Sequence, residues 1–212
     1  MQLRLAVLGD SIAWGQGASR PEHRPAARLA TRLGDHGVEV ETRVLAVPGA
    51  RSADLRRQVD RVLAWPPDLT VVVIGANDLT HRVPADRAAG DLADAVSRLR
   101  AATSEVVVAP APDLSAVPHV PVALRAAVRA NSEQLRRRQV EAVTPLGARV
   151  ADSPHDTSEA FREDLSLFSA DRFHPSSRGY AVIADALLPE LLEAARAAEH
   201  PPAAEGAGGP RC

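Results

Sequence analysis

The chain contains no lysine: all 25 of its basic residues are arginine. With no side-chain amine available, Schiff-base chemistry and the lysine of a phosphate-binding P-loop are both excluded. The absence itself reads as compositional bias and carries no site chemistry. Cysteine is nearly absent as well. The one copy, Cys212, is the last residue, so no intrachain disulfide can form and no secreted disulfide scaffold is present. Aromatic residues make up only 3% of the 212 residues against 45% hydrophobic residues overall. The core must therefore be built from Ala, Val and Leu. No apolar run approaches the ~20 residues of a membrane helix, and no basic-then-apolar leader opens the chain. A soluble, cytoplasmic protein is expected. Formal net charge is −2, from 25 basic and 27 acidic residues. That balance argues against a nucleic-acid surface or a polybasic membrane patch.

What is present is an alternation of apolar runs with longer amphipathic segments. Strands are predicted at Leu3–Leu8, Val38–Ala46, Leu69–Ile74, Val106–Ala109 and Ala148–Ala151. The run Val71-Val72-Val73-Ile74 is continuous and β-branched, as in a strand buried on both faces. Helices are predicted at Ala26–Leu33, Ser52–Leu63, Pro84–Ala101, Val122–Val143 and Ser177–Ala198, the second capped by Ser52. One further short helix is expected between residues 152 and 173. This pattern predicts a single α/β domain over residues 1–199: a three-layer, flavodoxin-like fold. Its five-stranded parallel sheet takes the order 2-1-3-4-5, with helices on both faces. Residues 200–212, rich in Pro, Gly and Ala, are expected to be a disordered tail.

In such a sheet, ligands bind outside the carboxyl ends of the strands. Gly9-Asp10-Ser11-Ile12-Ala13-Trp14-Gly15 follows the first strand. Its serine is either a turn residue or a nucleophile. Val47-Pro48-Gly49-Ala50 follows the second strand and Gly75-Ala76-Asn77-Asp78 the third, while Asp171-Arg172-Phe173-His174-Pro175 precedes the last helix. Together these loops supply a hydroxyl, a glycine amide, a carboxamide and an imidazole with a nearby carboxylate. Acyl transfer needs those parts. Gly15-Gln16-Gly17 lacks the third glycine and the acidic partner of a dinucleotide site. No close His/Cys pair has metal-ligand spacing.

These four blocks, in this order, resemble the SGNH hydrolases, the GDSL-type esterases and lipases, over roughly residues 3–198. Ile12 stands where the family commonly has Leu, a conservative change. The resemblance implies Ser11 as nucleophile, His174 as base and Asp171 as the group orienting it. It implies an oxyanion hole from the Ser11 and Gly49 amides and the Asn77 side chain. It further implies a serine hydrolase cleaving small-molecule acyl esters through an acyl-enzyme, without metal or other cofactor. Thioesterase, carbohydrate deacetylase and acyltransferase activities would use the same residues. A non-catalytic binding module of the same fold is the rival from another class. Asp10 and Asp78 are expected to stabilise their loops. Trp14, His81, Phe168 and Phe173 are candidate pocket residues, the aromatic ones because the chain has so few.

Overall fold

The computed structural model describes residues 2–151 and 154–200. The chain enters through β1 (Leu3–Gly9), turns into the one-turn helix α1 (Ser11–Trp14) and continues through α2 (Pro25–Asp35) to β2 (Val40–Val44). It then runs α3 (Leu55–Val62), β3 (Leu69–Val73), α4 (Ala76–Thr80), α5 (Ala85–Ala101), β4 (Glu105–Ala109) and α6 (Val122–Val143). The two-residue β5 (Arg149–Val150), α7 (Pro154–Glu163) and α8 (Ser177–Glu199) complete it. All five strands pair in parallel, in the order β2-β1-β3-β4-β5.

Alternation along the central strands explains the three layers. Leu3, Leu5 and Val7 of β1 join Leu69, Val71 and Val73 of β3 on one face, where α2 and α8 contribute Leu29, Leu33, Leu187 and Leu191. Ala6, Leu8 and Val72 point the other way, against Leu55, Val59 and Val62 of α3 and Leu92, Val96 and Leu99 of α5. A parallel sheet covered on both sides needs apolar residues at every position, and all five residues of β3 are buried. Thr70 is the polar exception; its hydroxyl bonds the buried Ser104 hydroxyl at 2.9 Å. The aliphatic composition therefore suffices: Tyr180 is the only aromatic among the largest fully buried side chains.

Several local expectations change. β2 and β5 are shorter than their apolar runs, because both are edge strands with one partner each. Ser52 does not cap a helix. A 3₁₀ turn, Ser52–Asp54, precedes α3, and the Ser52 hydroxyl is drawn to Asp78 instead. The helices α1 and α4 are too short to complete an apolar period and left no periodic signal. Of the expected tail, residues 201–212, including Cys212, lie outside the described residues. No helix among the described residues is long and apolar enough to cross a membrane.

Candidate active site

Three loops at the carboxyl ends of β1, β2 and β3 meet the segment that leads into α8. The first begins at Gly9, with φ +135°. A Cβ there would lie 1.8 Å from the Val73 carbonyl oxygen, so only glycine fits. Asp10 is extended and N-caps α1, its Oδ1 accepting from the Ile12 amide at 2.9 Å. Ser11 is thus the first residue of α1 and is 7% exposed.

After β2 the chain makes a turn closed by the Ala50 amide on the Val47 carbonyl at 3.0 Å. Pro48 and Gly49 occupy the central positions, and Gly49 has φ +83°, as a type II turn requires. Two bonds fasten this turn to the loop after β3. The Asn77 side-chain amide donates to Ala50 O at 3.0 Å, and Asp78 accepts from the Ser52 amide and hydroxyl at 2.9–3.2 Å. One Asn77 N–H remains for another acceptor.

The fourth segment is a narrow loop. Ser169 N donates to His174 O at 2.8 Å, and Phe168 and Pro175 form an isolated antiparallel bridge. Arg172, with φ +55°, makes the reversal at its tip. Asp171 Oδ1 accepts from the Phe173 and His174 amides and the Ser169 hydroxyl at 2.8–2.9 Å. Its other oxygen, Oδ2, lies 2.7 Å from His174 Nδ1. His174 Nε2 lies 3.0 Å from Ser11 Oγ. Serine, imidazole and carboxylate therefore stand in one hydrogen-bonded row, with the ring's far nitrogen engaged by the carboxylate. Such a row can move the hydroxyl proton onto the ring and hold the imidazolium that results.

Electrostatics differ sharply between the two aspartates. Desolvation raises the Asp171 carboxyl, but the bonds from the His174 ring and the three surrounding donors outweigh it and hold the group far below the ordinary range. Burial pushes the Asp10 carboxyl up to about 7, with the negative Asp78 adding to the effect. Asp10 Oδ2 is buried and has no hydrogen-bond partner among the described residues. Burial raises Asp78 too, against the opposing bonds from Ser52. Tyr180, beneath this region, is raised by burial and donates to Gln16 O at 2.6 Å.

The expected pocket residues separate. Phe173 packs edge-on against the His174 ring, centroids 5.0 Å apart. It lines an apolar cavity of about 190 Å³ with Leu79, Leu114, Val117, Val120 and Val128. His81 is exposed and its Nδ1 donates to Asn77 O at 2.9 Å, at the back of the asparagine. Trp14 stacks with the Arg24 guanidinium at 4.3 Å and is 36% exposed. Phe168 turns into the core against Phe161, because the bridge to Pro175 directs it inward. Two supporting residues carry no local sequence signal. His119 Nε2 donates to Asp171 O at 2.8 Å, and Gln58 binds Gly9 through both of its amide atoms. A larger groove of about 630 Å³ between α3 and α5 contains none of these groups.

A parallel three-layer α/β fold with serine, glycine, asparagine and histidine gathered at one sheet edge defines the SGNH hydrolase class. The chain belongs to the GDSL-like Lipase/Acylhydrolase family, which it matches over residues 7–182. It is 37% identical over 196 residues to the GDSL-like esterase Rv1075c of Mycobacterium tuberculosis, covering 91% of this chain and 62% of that protein. The chain thus spans under two thirds of that relative's length. In fold it resembles TesA (TM-score 0.76, 21% identity, 90% of this chain and 99% of that one). It also resembles Axe2, an acetylxylan esterase from Geobacillus stearothermophilus (TM-score 0.67, 21% identity, 89% and 94% covered).

Proposed function

We propose that this protein is a serine hydrolase of carboxylic esters. The observation that carries the proposal is the row Ser11 Oγ–His174 Nε2 at 3.0 Å and His174 Nδ1–Asp171 Oδ2 at 2.7 Å. In this reading Ser11 Oγ attacks the ester carbonyl while His174 takes its proton. The oxyanion settles among the Ser11 and Gly49 amides and the free N–H of Asn77. Asp171 holds the ring tautomer and offsets the imidazolium charge. Collapse expels the alcohol, protonated by His174, and leaves an acyl group on Ser11. Water, deprotonated by the same ring, then attacks the acyl-enzyme and frees the acid.

The apolar cavity beside Phe173 supports a short hydrocarbon acyl group as the part bound there. The 37% identical relative named an esterase favours esters over thioesters and over acyl transfer. A fluorophosphonate probe tests the reading: it should label Ser11 in the native protein and nothing in Ser11→Ala. That variant should retain its melting temperature and lose turnover of short p-nitrophenyl esters. Undiminished turnover by Ser11→Ala would sink the proposal. A parallel panel of esters and thioesters of graded length ranks the substrates.

A further inference from the structure

A second cavity, of about 350 Å³, opens between the loop after β2 and α3 and shares Gly49 with the candidate oxyanion hole. Val47 and Pro48 form its apolar wall, and Val47 is 46% exposed. Opposite stand Arg57 and Arg61, four residues apart on α3 and so on one face of the helix. Both are exposed, and among the described residues neither guanidinium has a hydrogen-bond or ion-pair partner. Some other surface arginines are paired, as Arg32 with Asp185 at 2.7 Å and Arg98 with Asp60 at 2.5 Å. The cavity's one carboxylate, Asp54, accepts from the Arg51 amide at 2.9 Å. The lining therefore keeps an excess of positive charge beside a greasy wall.

In the order β2-β1-β3-β4 the loop after β2 lies on one side of the β1 loop that carries Ser11 and the loops after β3 and β4 on the other, so the two cavities lie to either side of that loop. An ester bound across Ser11 has two arms, and the apolar cavity suits the acyl arm. We propose that the cavity at Arg57 and Arg61 receives the leaving-group arm and selects alcohols that carry a negative charge, as carboxylate or phosphate. The assignment rests on the ester-hydrolase reading above. Guanidinium forks match both anions, and the apolar wall accommodates the carbon skeleton between the anion and the ester oxygen.

The test uses three butyryl esters of similar phenols: 3-hydroxyphenylacetate, 3-hydroxybenzyl phosphate and the neutral 3-hydroxyphenylacetamide. The native protein should favour an anionic ester over the neutral one by about tenfold in kcat/KM, the size expected of two exposed charge pairs. Which anion gains more identifies carboxylate or phosphate as the preferred group. In Arg57→Gln/Arg61→Gln the preference should fall toward unity, and added salt should erode it in the native protein. Equal discrimination by both proteins, or none in the native one, overturns the proposal. If the native protein turns over none of the three, the hydrolase reading has failed instead. The cavity is then judged by calorimetric titration with 3-hydroxyphenylacetate. Binding by the native protein but not by the double variant upholds an anion site, and binding by neither overturns it.

Discussion

Gln58 grips the backbone of Gly9 with both ends of its side-chain amide, across 49 residues of sequence: Gly9 N donates to Oε1 and Nε2 donates to Gly9 O, each at 2.8 Å. Gln58 is 3% exposed, so the pair is dry. It fixes the end of β1 two residues before Ser11. Gly9 O has a second donor in the Val47 amide at 3.0 Å, whereas Gly9 N relies on Gln58 Oε1 as its side-chain acceptor. Gln58→Met should therefore cost about 1–3 kcal/mol, the desolvation penalty of one unpaired buried amide. It should also lower kcat more than it changes KM, because a shifted Ser11 loses alignment rather than substrate affinity. Denaturant unfolding and steady-state kinetics on one preparation measure both effects.

Asp171→Asn should leave the loop largely intact, since the new carbonyl oxygen can still accept from the Phe173 and His174 amides. It cannot accept from His174 Nδ1 through a nitrogen. A loss of about 10⁴ in kcat is expected, as for triads that lose the ring-orienting carboxylate. A loss below tenfold would make Asp171 a loop-bracing residue only. Asp171 stays ionised through the mildly acidic range, so its own protonation should contribute nothing to any decline of native activity there.

Asp10 gives a stability signature of the opposite sign. Its carboxyl is raised to about 7 in the folded protein, whereas an unfolded aspartate titrates near ~3.9. Between those values the native state binds more protons than the unfolded state, so the stability contributed by the protonated group is complete below ~pH 4 and lost as pH rises to 7. Asp10→Asn can keep the cap to Ile12 N and never ionises. It should be more stable than the native protein at pH 8, by up to about 4 kcal/mol, and nearly equal to it at pH 4. Thermal melts at both pH values decide; a gain of the same size at each would contradict the shift.

Gly179 sits in the first turns of α8, where alanine is ordinarily worth about 1 kcal/mol more to a helix. Here a Cβ would stand 2.3 Å from the Leu167 carbonyl oxygen and 2.8 Å from the Phe161 ring. Backbone cannot yield as a flexible side chain would, so Gly179→Ala should destabilise the protein. The push falls on the 3₁₀ turn Leu165–Leu167, whose last carbonyl accepts from the Ser176 amide beside the His174 loop, and ester turnover should fall with it. A raised melting temperature would show that the loop tolerates the shift.

The central strands and the four motif blocks are legible in the sequence because their signals are local: β-branched runs, glycines where the chain must reverse, an Asp three residues before a His. The order of the sheet follows from the alternation of elements. Gln58 and His119 are not legible, since nothing near either one in the chain announces a partner 49 or 52 residues away. Ser52 has the look of a helix cap, and the buried Asp78 claims it. Phe168 and Phe173 read alike in one short stretch, yet the bridge between Phe168 and Pro175 sends one ring into the core and leaves the other beside the imidazole.

The proposed nucleophile and its base are 163 residues apart in the chain. A ribosome releases Ser11, Gly49 and Asn77 long before Asp171 and His174. Until that last stretch is made and α8 docks, the nascent protein carries a serine with no group to take its proton. A chain broken anywhere before the Asp171–His174 loop would lack the proposed base in the same way.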